Sequence, residues 1–317
     1  MSNKGIEKFF DDLYELDFIN LYKLLLKRKI SIISSISTIM LISLLALIFL
    51  VPNQFTSSAV LLSADDTDSD MDLLQRYSGL ASLAGISVGM DRKDKTLEAI
   101  EIIQSHDFFV NSFLKNIQLH DLMAVKRWDP KNNIISYNKK DFDPDSGVWV
   151  RKVKFPKKII PSSQEAHIEY LDILNIDYDK KTGFLLISIT HQSPYIAKNW
   201  LDLIISEINR TMRSHDREKT KKSLEFLEKE SQKVQFSEIY DALATLQQKE
   251  MKSLMLIEVN EEYVFRVVSS PLVPEKKSGP NKIIYLILIF ICFTVLIILF
   301  SVFREIYLNK LKEQSSF

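Results

Sequence analysis

Two places in the chain spell, in consecutive letters, the side chains of a hydrolase relay: Ser105, His106, Asp107 and Ser214, His215, Asp216. In such a relay a hydroxyl attacks, an imidazole takes its proton and a carboxylate orients the imidazole, so the three groups must converge. Both triplets fall in helix-patterned sequence, where consecutive side chains diverge by about 100°. They read as surface polar residues. His120, His167 and His191 show neither HExxH nor any other close ligand spacing, so no metal centre is expected. Asp66, Asp68, Asp70 and Asp72 alternate as calcium ligands do, but an EF-hand loop starting at Asp66 would need glycine where Met71 stands and glutamate where Tyr77 stands. A solvated acidic loop is the expectation.

"YSGLASLAGISVGM" gathers Gly79, Gly85 and Gly89, three of the chain's 7 glycines. A phosphate-binding loop needs Lys and then Ser or Thr after its last glycine, and Met90 and Asp91 stand there. This is a small-residue loop suited to close backbone approach, not a nucleotide site. No catalytic residue, cofactor or metal ligand emerges, and the chain reads as an organiser instead of an enzyme. Lys plus Arg and Asp plus Glu number 41 each, so the formal net charge is zero, and no basic stripe recommends nucleic acid.

The elements that would carry such an organiser start with two stretches free of charge, Ile30 to Val51 and Ile283 to Phe303. At about 1.5 Å per residue each reaches across a hydrocarbon core of about 30 Å, so both are expected to be transmembrane helices. The first is too long for a signal peptide, and "VPNQF" after it lacks the small-x-small cleavage pattern. Lys23, Lys27, Arg28 and Lys29 crowd its near side and Asp65, Asp66, Asp68 and Asp70 its far side, which puts the N-terminus in the cytoplasm. A second span returns the C-terminus there, and Arg304, Lys310 and Lys312 agree. The expected division is a cytoplasmic segment 1–29, a span 30–51, an outer domain 52–282, a span 283–303 and a cytoplasmic tail 304–317. The tails are too short for catalytic domains. The single cysteine, Cys292, lies in the second span, so the outer domain must cohere by packing alone.

Within that domain "FTSSAVLL" (55–62) reads as a strand leaving the first span, and 94–117 as one or two helices facing Leu97, Ile100, Ile103 and Phe108 to a core. "VWVRKVKF" (148–155) reads as a strand, "SQEAHIEYLDIL" as a helix, and "LNIDYD" with "FLLISIT" as a hairpin turned at Gly183. Ser193 is a good N-cap and Pro194 a good first helical residue, and Trp200, Ile204, Ile208 and Met212 follow as a buried stripe. "RSHDREKTKKS" then carries large apolar residues nowhere, so a helix through Gln235 would project into water or lean on partner chains. A second helical piece from Phe236 either folds back or takes another direction, and "EYVFRVVSS" is a last strand. The base would thus be 52–193 with 259–270, the helical arm 194–258, and the proline-rich segment 271–280. Pro271, Pro274 and Pro280 lack amide donors and fix φ, which restricts how the last strand is handed to the second span.

These features in this order resemble the polysaccharide co-polymerases, the Wzz-type chain-length determinants of bacterial O-antigen and related surface polysaccharides. The likeness is carried by "YELDFINLYKLLLKRKISI", by "LASLAG", by "KKTGFLLISITHQSPYIAKNWLDLIISEIN" with Gly183, Pro194, Ala197, Trp200 and Asn209, and by "YVFRVVSSPLVPEKKSGP". It departs where the family's Ser-Pro is Ser278, Gly279, Pro280, and where the second span lacks any glycine for a GxxxG contact. The resemblance implies an α+β fold: two transmembrane helices flanking a periplasmic domain with an α/β membrane-proximal base and a long protruding helix. It further implies a homo-oligomer in the bacterial inner membrane, partnered with the polymerase that extends a lipid-linked glycan. The expected role is non-catalytic scaffolding that sets polysaccharide chain length. An export adaptor without length control is the alternative, and a two-span sensor would need a cytoplasmic output domain. Relatives with a fused tyrosine kinase are not matched, since the chain has no P-loop.

Overall fold

The computed structural model describes residues 29–64, 90–234 and 236–314. The chain divides into two compact units, one of Met1–Pro52 with Gly279–Phe317 and one of Asn53–Ser278. Helix α1 (Lys29–Leu50) precedes the second unit, whose first strand is β1 (Phe55–Ser63). The acidic residues after it and Gly79, Gly85 and Gly89 lie outside the described residues.

Helix α2 (Met90–Gln104) ends at Ser105, whose hydroxyl donates to the Ile102 carbonyl at 2.7 Å and accepts from the Phe108 amide at 3.1 Å. That bond opens a short turn α3 (His106–Phe108), then a wider turn over Phe109–Phe113 and a tight one over Leu114–Asn116. The core face of α2 is Ala99 and Ile103, both fully buried, while Leu97 is 40% exposed. The expected inward Leu97 is therefore corrected: two residues on a helix turn the side chain by about 200°, so Leu97 and Ala99 cannot share a face. Phe109, Phe113 and Tyr170 pack with ring centroids 4.8–6.1 Å apart.

Helix α4 (Leu119–Met123) leads to a small hairpin of β2 (Val125–Asp129) and β3 (Ile134–Tyr137). Its turn uses Asn133 at φ 52°, a left-handed conformation that asparagine tolerates, and the Asn133 side chain accepts from the Trp128 indole at 2.8 Å. β4 (Phe142–Asp143) pairs with β5 (Val148–Trp149). The strand expected over 148–155 stops after Trp149. Past that point the Arg151 guanidinium donates to the Lys158 and Ile159 carbonyls, which bends the chain back on itself and leaves it no strand to pair with.

Helix α5 (Ser163–Ile173), capped by Ser162, passes directly into β6 (Leu174–Tyr178). β6 turns through Gly183 at φ 75° into β7 (Phe184–His191), and Asp179 closes the turn by accepting from Lys181 and Thr182. The sheet order is β6-β7-β1-β8, all antiparallel, with β8 spanning Phe265–Ser269. Pairing Ala59 with Ile187 and Leu61 with Leu185 brings the apolar alternates of both central strands to one face. The other face keeps Phe184, Leu186 and Val268 exposed.

The covered face is packed by α6 (Pro194–Ser231), about 57 Å long, through Trp200, Leu201, Ile204, Ile208 and Met212. Beyond Met212 the described part of α6 buries only Thr220 and Leu227. Instead of standing alone in water, as its polarity suggests, it packs against α7 (Ser237–Val259). α7 runs back along it, since Arg217 reaches Glu258 at 2.6 Å and Arg213 reaches the Asn260 carbonyl.

In the other unit α1 packs on α8 (Lys282–Gln314). Ile30–Phe49 and Lys282–Phe300 are each long and apolar enough to cross a membrane. Hydroxyls within these stretches bond back one turn, Thr38 to Ser34, Ser43 to Ile39 and Thr294 to Phe290, so each finds an acceptor without water.

Candidate functional site

The two proline- and helix-entry motifs meet at one end of the sheet. After Phe55, β1 is polar over Thr56, Ser57 and Ser58, and Thr56 and Ser57 spend their hydroxyls on its neighbours. Thr56 shares a hydrogen bond with Thr190 of β7 at 2.8 Å and donates to the Ser278 hydroxyl at 2.7 Å. Ser57 donates to the Leu272 carbonyl at 2.8 Å, and the Ser278 amide donates to the Gln54 carbonyl at 2.9 Å. Residues 271–278 are thereby stitched to the start of β1. Pro271 is buried and Pro274 half-buried, while Pro280, half-buried, belongs to the other unit.

One residue beyond Thr190, His191 governs the start of α6. Its Nδ1 accepts from the Ser193 amide and its Nε2 donates to the Asp121 carbonyl, both at 2.9 Å, which requires the neutral ring. Ser193 then accepts from the Ile196 amide, Pro194 occupies the first turn, and Trp200 packs on His191 and Phe113 at centroid distances of 5.0 and 5.5 Å. Burial pushes the His191 pKa below its ordinary value, the carbonyl and charge of Asp121 pulling the other way with less effect. A histidine held neutral stabilises the fold above its unfolded pKa of about 6.5 and ceases to do so as pH falls. The stability of the purified chain, followed by thermal unfolding, is expected to fall between pH 7 and 5 by at most about 1.4 kcal/mol per pH unit from this group. His191→Gln should flatten that part of the profile, and an unchanged profile would remove His191 as its source.

Farther up α6, Asn209 is buried with its amide fully used. Its Oδ1 accepts from Val264 and Phe265 amides at 2.8 and 3.0 Å, and its Nδ2 donates to the carbonyls of Phe265 at 3.1 Å and Ile205 at 3.2 Å. It serves as a strand partner for the start of β8, fixing the last strand to the long helix. Nothing in a lone asparagine inside a helix announces this, because its partners are 55 and 56 residues away.

The hydrolase-like triplets do no relay chemistry. Ser105 is a cap, and the His106 Nε2 lies 3.2 Å from Ser163 instead of Ser105. Asp216 accepts from Tyr263 at 2.6 Å and pairs with Lys95 at 3.2 Å, joining α6, α2 and the approach to β8 beside a cleft of about 520 Å³. Burial and the bond to Asp216 push the Tyr263 pKa up to about 12. Against the effect of burial, the Tyr263 hydrogen bond and the Lys95 charge hold the Asp216 carboxyl low, and, again against burial, Tyr263 and Asp216 hold the Lys95 ammonium high. Sequence reading missed this trio for want of any spacing signal. Among the described residues no group of three His, Cys, Asp or Glu side chains is placed to hold a metal ion.

Among the described residues, α7 carries a large uncovered apolar surface. Ile239, Tyr240, Leu246, Met251, Met255, Leu256 and Val259 are all exposed, and Ile257 alone among its residues is buried. Tyr240, Met251, Met255 and Val259 fall within about 100° of one another on the side away from Ile257, an apolar face suited to a partner surface.

The family model described as "Chain length determinant protein" matches residues 14–113. No curated protein matches. Among solved structures, a full-length bacterial polysaccharide co-polymerase is similar at 14% identity and a TM-score of 0.41, covering 92% of this chain and 99% of that one. A fragment of WzzB, a polysaccharide co-polymerase from Salmonella Typhimurium, is similar at 15% identity and a TM-score of 0.30, covering 72% of this chain and 100% of that one.

Proposed function

We propose, taking as premise a chain of the Wzz type matched to that family over residues 14–113, that it regulates surface polysaccharide chain length as a non-catalytic scaffold. The observation that carries the mechanism is the arm: α6 and α7 form a helical hairpin whose outer helix leaves seven large apolar side chains uncovered. Such a surface supports a homo-oligomer, in which copies stand side by side through their arms. The apolar stretches Ile30–Phe49 and Lys282–Phe300 would anchor it in the bacterial inner membrane with both termini cytoplasmic and residues 52–282 periplasmic. The polymer is lipopolysaccharide O-antigen or a related exopolysaccharide, and the partner is the membrane polymerase acting on lipid-linked glycan. The oligomer limits or prolongs each round of elongation and makes no bond itself.

The test is the length distribution of the cell's surface glycan on a gel, with and without the gene. Loss of a modal length is expected, and an unchanged distribution would sink the proposal. Glycan accumulating inside the cell at unaltered length would favour an export adaptor.

The stitched proline segment gives a finer expectation. Pro271 and Pro274 fix φ between β8 and the second apolar helix, while Thr56, Ser57 and Ser278 hold that segment on β1. The small-residue loop with Gly79, Gly85 and Gly89 belongs to the same proposal as a place of close backbone approach. Pro271→Ala with Pro274→Ala is expected to shift modal length while leaving membrane insertion intact. An unaltered mode would return the segment to the status of a linker.

A further inference from the structure

We infer that the loop 150–160 docks on an anionic phospholipid surface. Its sequence, "VRKVKFPKKII", holds five basic residues and no acid. Arg151 is spent internally: it donates to the carbonyls of Lys158 and Ile159 and pairs with Glu165 at 2.5 Å, which cinches the loop at its base. The Lys157 amide bonds the Lys154 carbonyl at 3.0 Å, so Phe155 and Pro156 form the corner of a turn. Phe155 there is 96% exposed, and Ile159 and Ile160 beside it are 57% and 60% exposed. Lys157 leans loosely on Glu165 at 3.5 Å, whereas Lys152, Lys154 and Lys158 are exposed and in no salt bridge among the described residues.

An aromatic corner ringed by unpaired lysines, held out on a braced loop, is costly to leave in water and unsuited to a dry protein interface. It matches a surface with negative headgroups above an apolar layer, where lysines stay with the phosphates and a ring enters the acyl boundary. The apolar helices α1 and α8, if they span, would tether the chain to such a surface. β5 ends one residue before the loop, its partner Phe142 stacks on His120 at 4.5 Å, and the adjacent Asp121 carbonyl holds His191. His191 pairs with Phe55, which follows α1 by a few residues in the sequence. The loop thus springs from the same end of the sheet as the chain's entry, and tethering at both ends keeps a bilayer at high local concentration. The inference rests on α1 and α8 crossing that bilayer. It does not require that the protein set polymer length.

The test uses the full chain with Cys292→Ser and Phe155→Cys, labelled with an environment-sensitive fluorophore and reconstituted in vesicles. Flotation and resistance to carbonate extraction report insertion separately, so a failure to span is distinguished from a failure to dock. With phosphatidylglycerol present, the probe is expected to shift to the blue and to be quenched by doxyl-labelled lipid. The same probe at Lys180→Cys, on the β6–β7 turn, should stay in water. Pure phosphatidylcholine, raised salt or Lys152, Lys154 and Lys158 all changed to Gln should reduce quenching, by about fivefold in the docking equilibrium for each lysine removed. A probe at position 155 that stays aqueous in anionic vesicles would overturn the inference. So would one equally shielded in detergent, which would mark a protein contact, or one quenched without regard to lipid charge.

Discussion

Replacing Asn209 by leucine is expected to destabilise the Asn53–Ser278 unit by about 2–5 kcal/mol, on the scale of a typical domain's whole stability of about 5–15 kcal/mol. The side chain is of similar size, so packing changes little. What changes is that the Val264 and Phe265 amides, both accepted by Oδ1 in a buried setting, lose this acceptor. Each stranded buried donor costs about 1–3 kcal/mol, and the Phe265 carbonyl loses a donor as well. The measurement is thermal or urea unfolding of the purified chain. A midpoint equal to wild type would mean that α6 and β8 do not depend on this amide.

The second large effect lies on α7. Met251 and Met255, one turn apart on the side of α7 away from the buried Ile257, are 50% and 65% exposed in the single chain, so changing both to glutamate should cost the isolated fold little, within about 0.5 kcal/mol per site. In an assembly that covers this face, the same carboxylates would be buried without partners, at several kcal/mol each. The double variant is therefore expected to insert and fold as wild type yet to run as a smaller species by light scattering in detergent. An oligomer of unchanged mass would place the contact between copies elsewhere.

Much of the fold was legible because it follows short-range rules. Alternation over 55–62 and 184–190, a glycine at the turn and a Ser-Pro start to the long helix each tie one local pattern to one element. Strand 148–155 was misread because alternation of Val with Arg and Lys mimics a half-buried strand. The Arg151 side chain makes a different use of the backbone, bending it into a loop. Leu97 was misplaced by a loose helical phase, which Ala99 and Ile103 correct. The site was less legible, since its bonds are long-range: Thr56 with Ser278, Asn209 with β8, and Lys95 with Asp216 join residues more than a hundred positions apart, or more than fifty for Asn209. Local spacing carries no record of such pairs. The polar upper half of α6 posed the clearest alternative, water or a partner, and its partner proved to be α7 of the same chain.

The claim that length is set by scaffolding, without bond-making, is tested most directly by one gel. A strain lacking the gene is complemented at matched expression with the wild-type chain or with Met251→Glu and Met255→Glu together, and the surface glycan is resolved by length. The account expects the wild type to restore a modal cluster and the variant to yield the same total glycan with no mode. A mode unchanged by the variant, or glycan synthesis abolished outright as on loss of an enzyme, would contradict it.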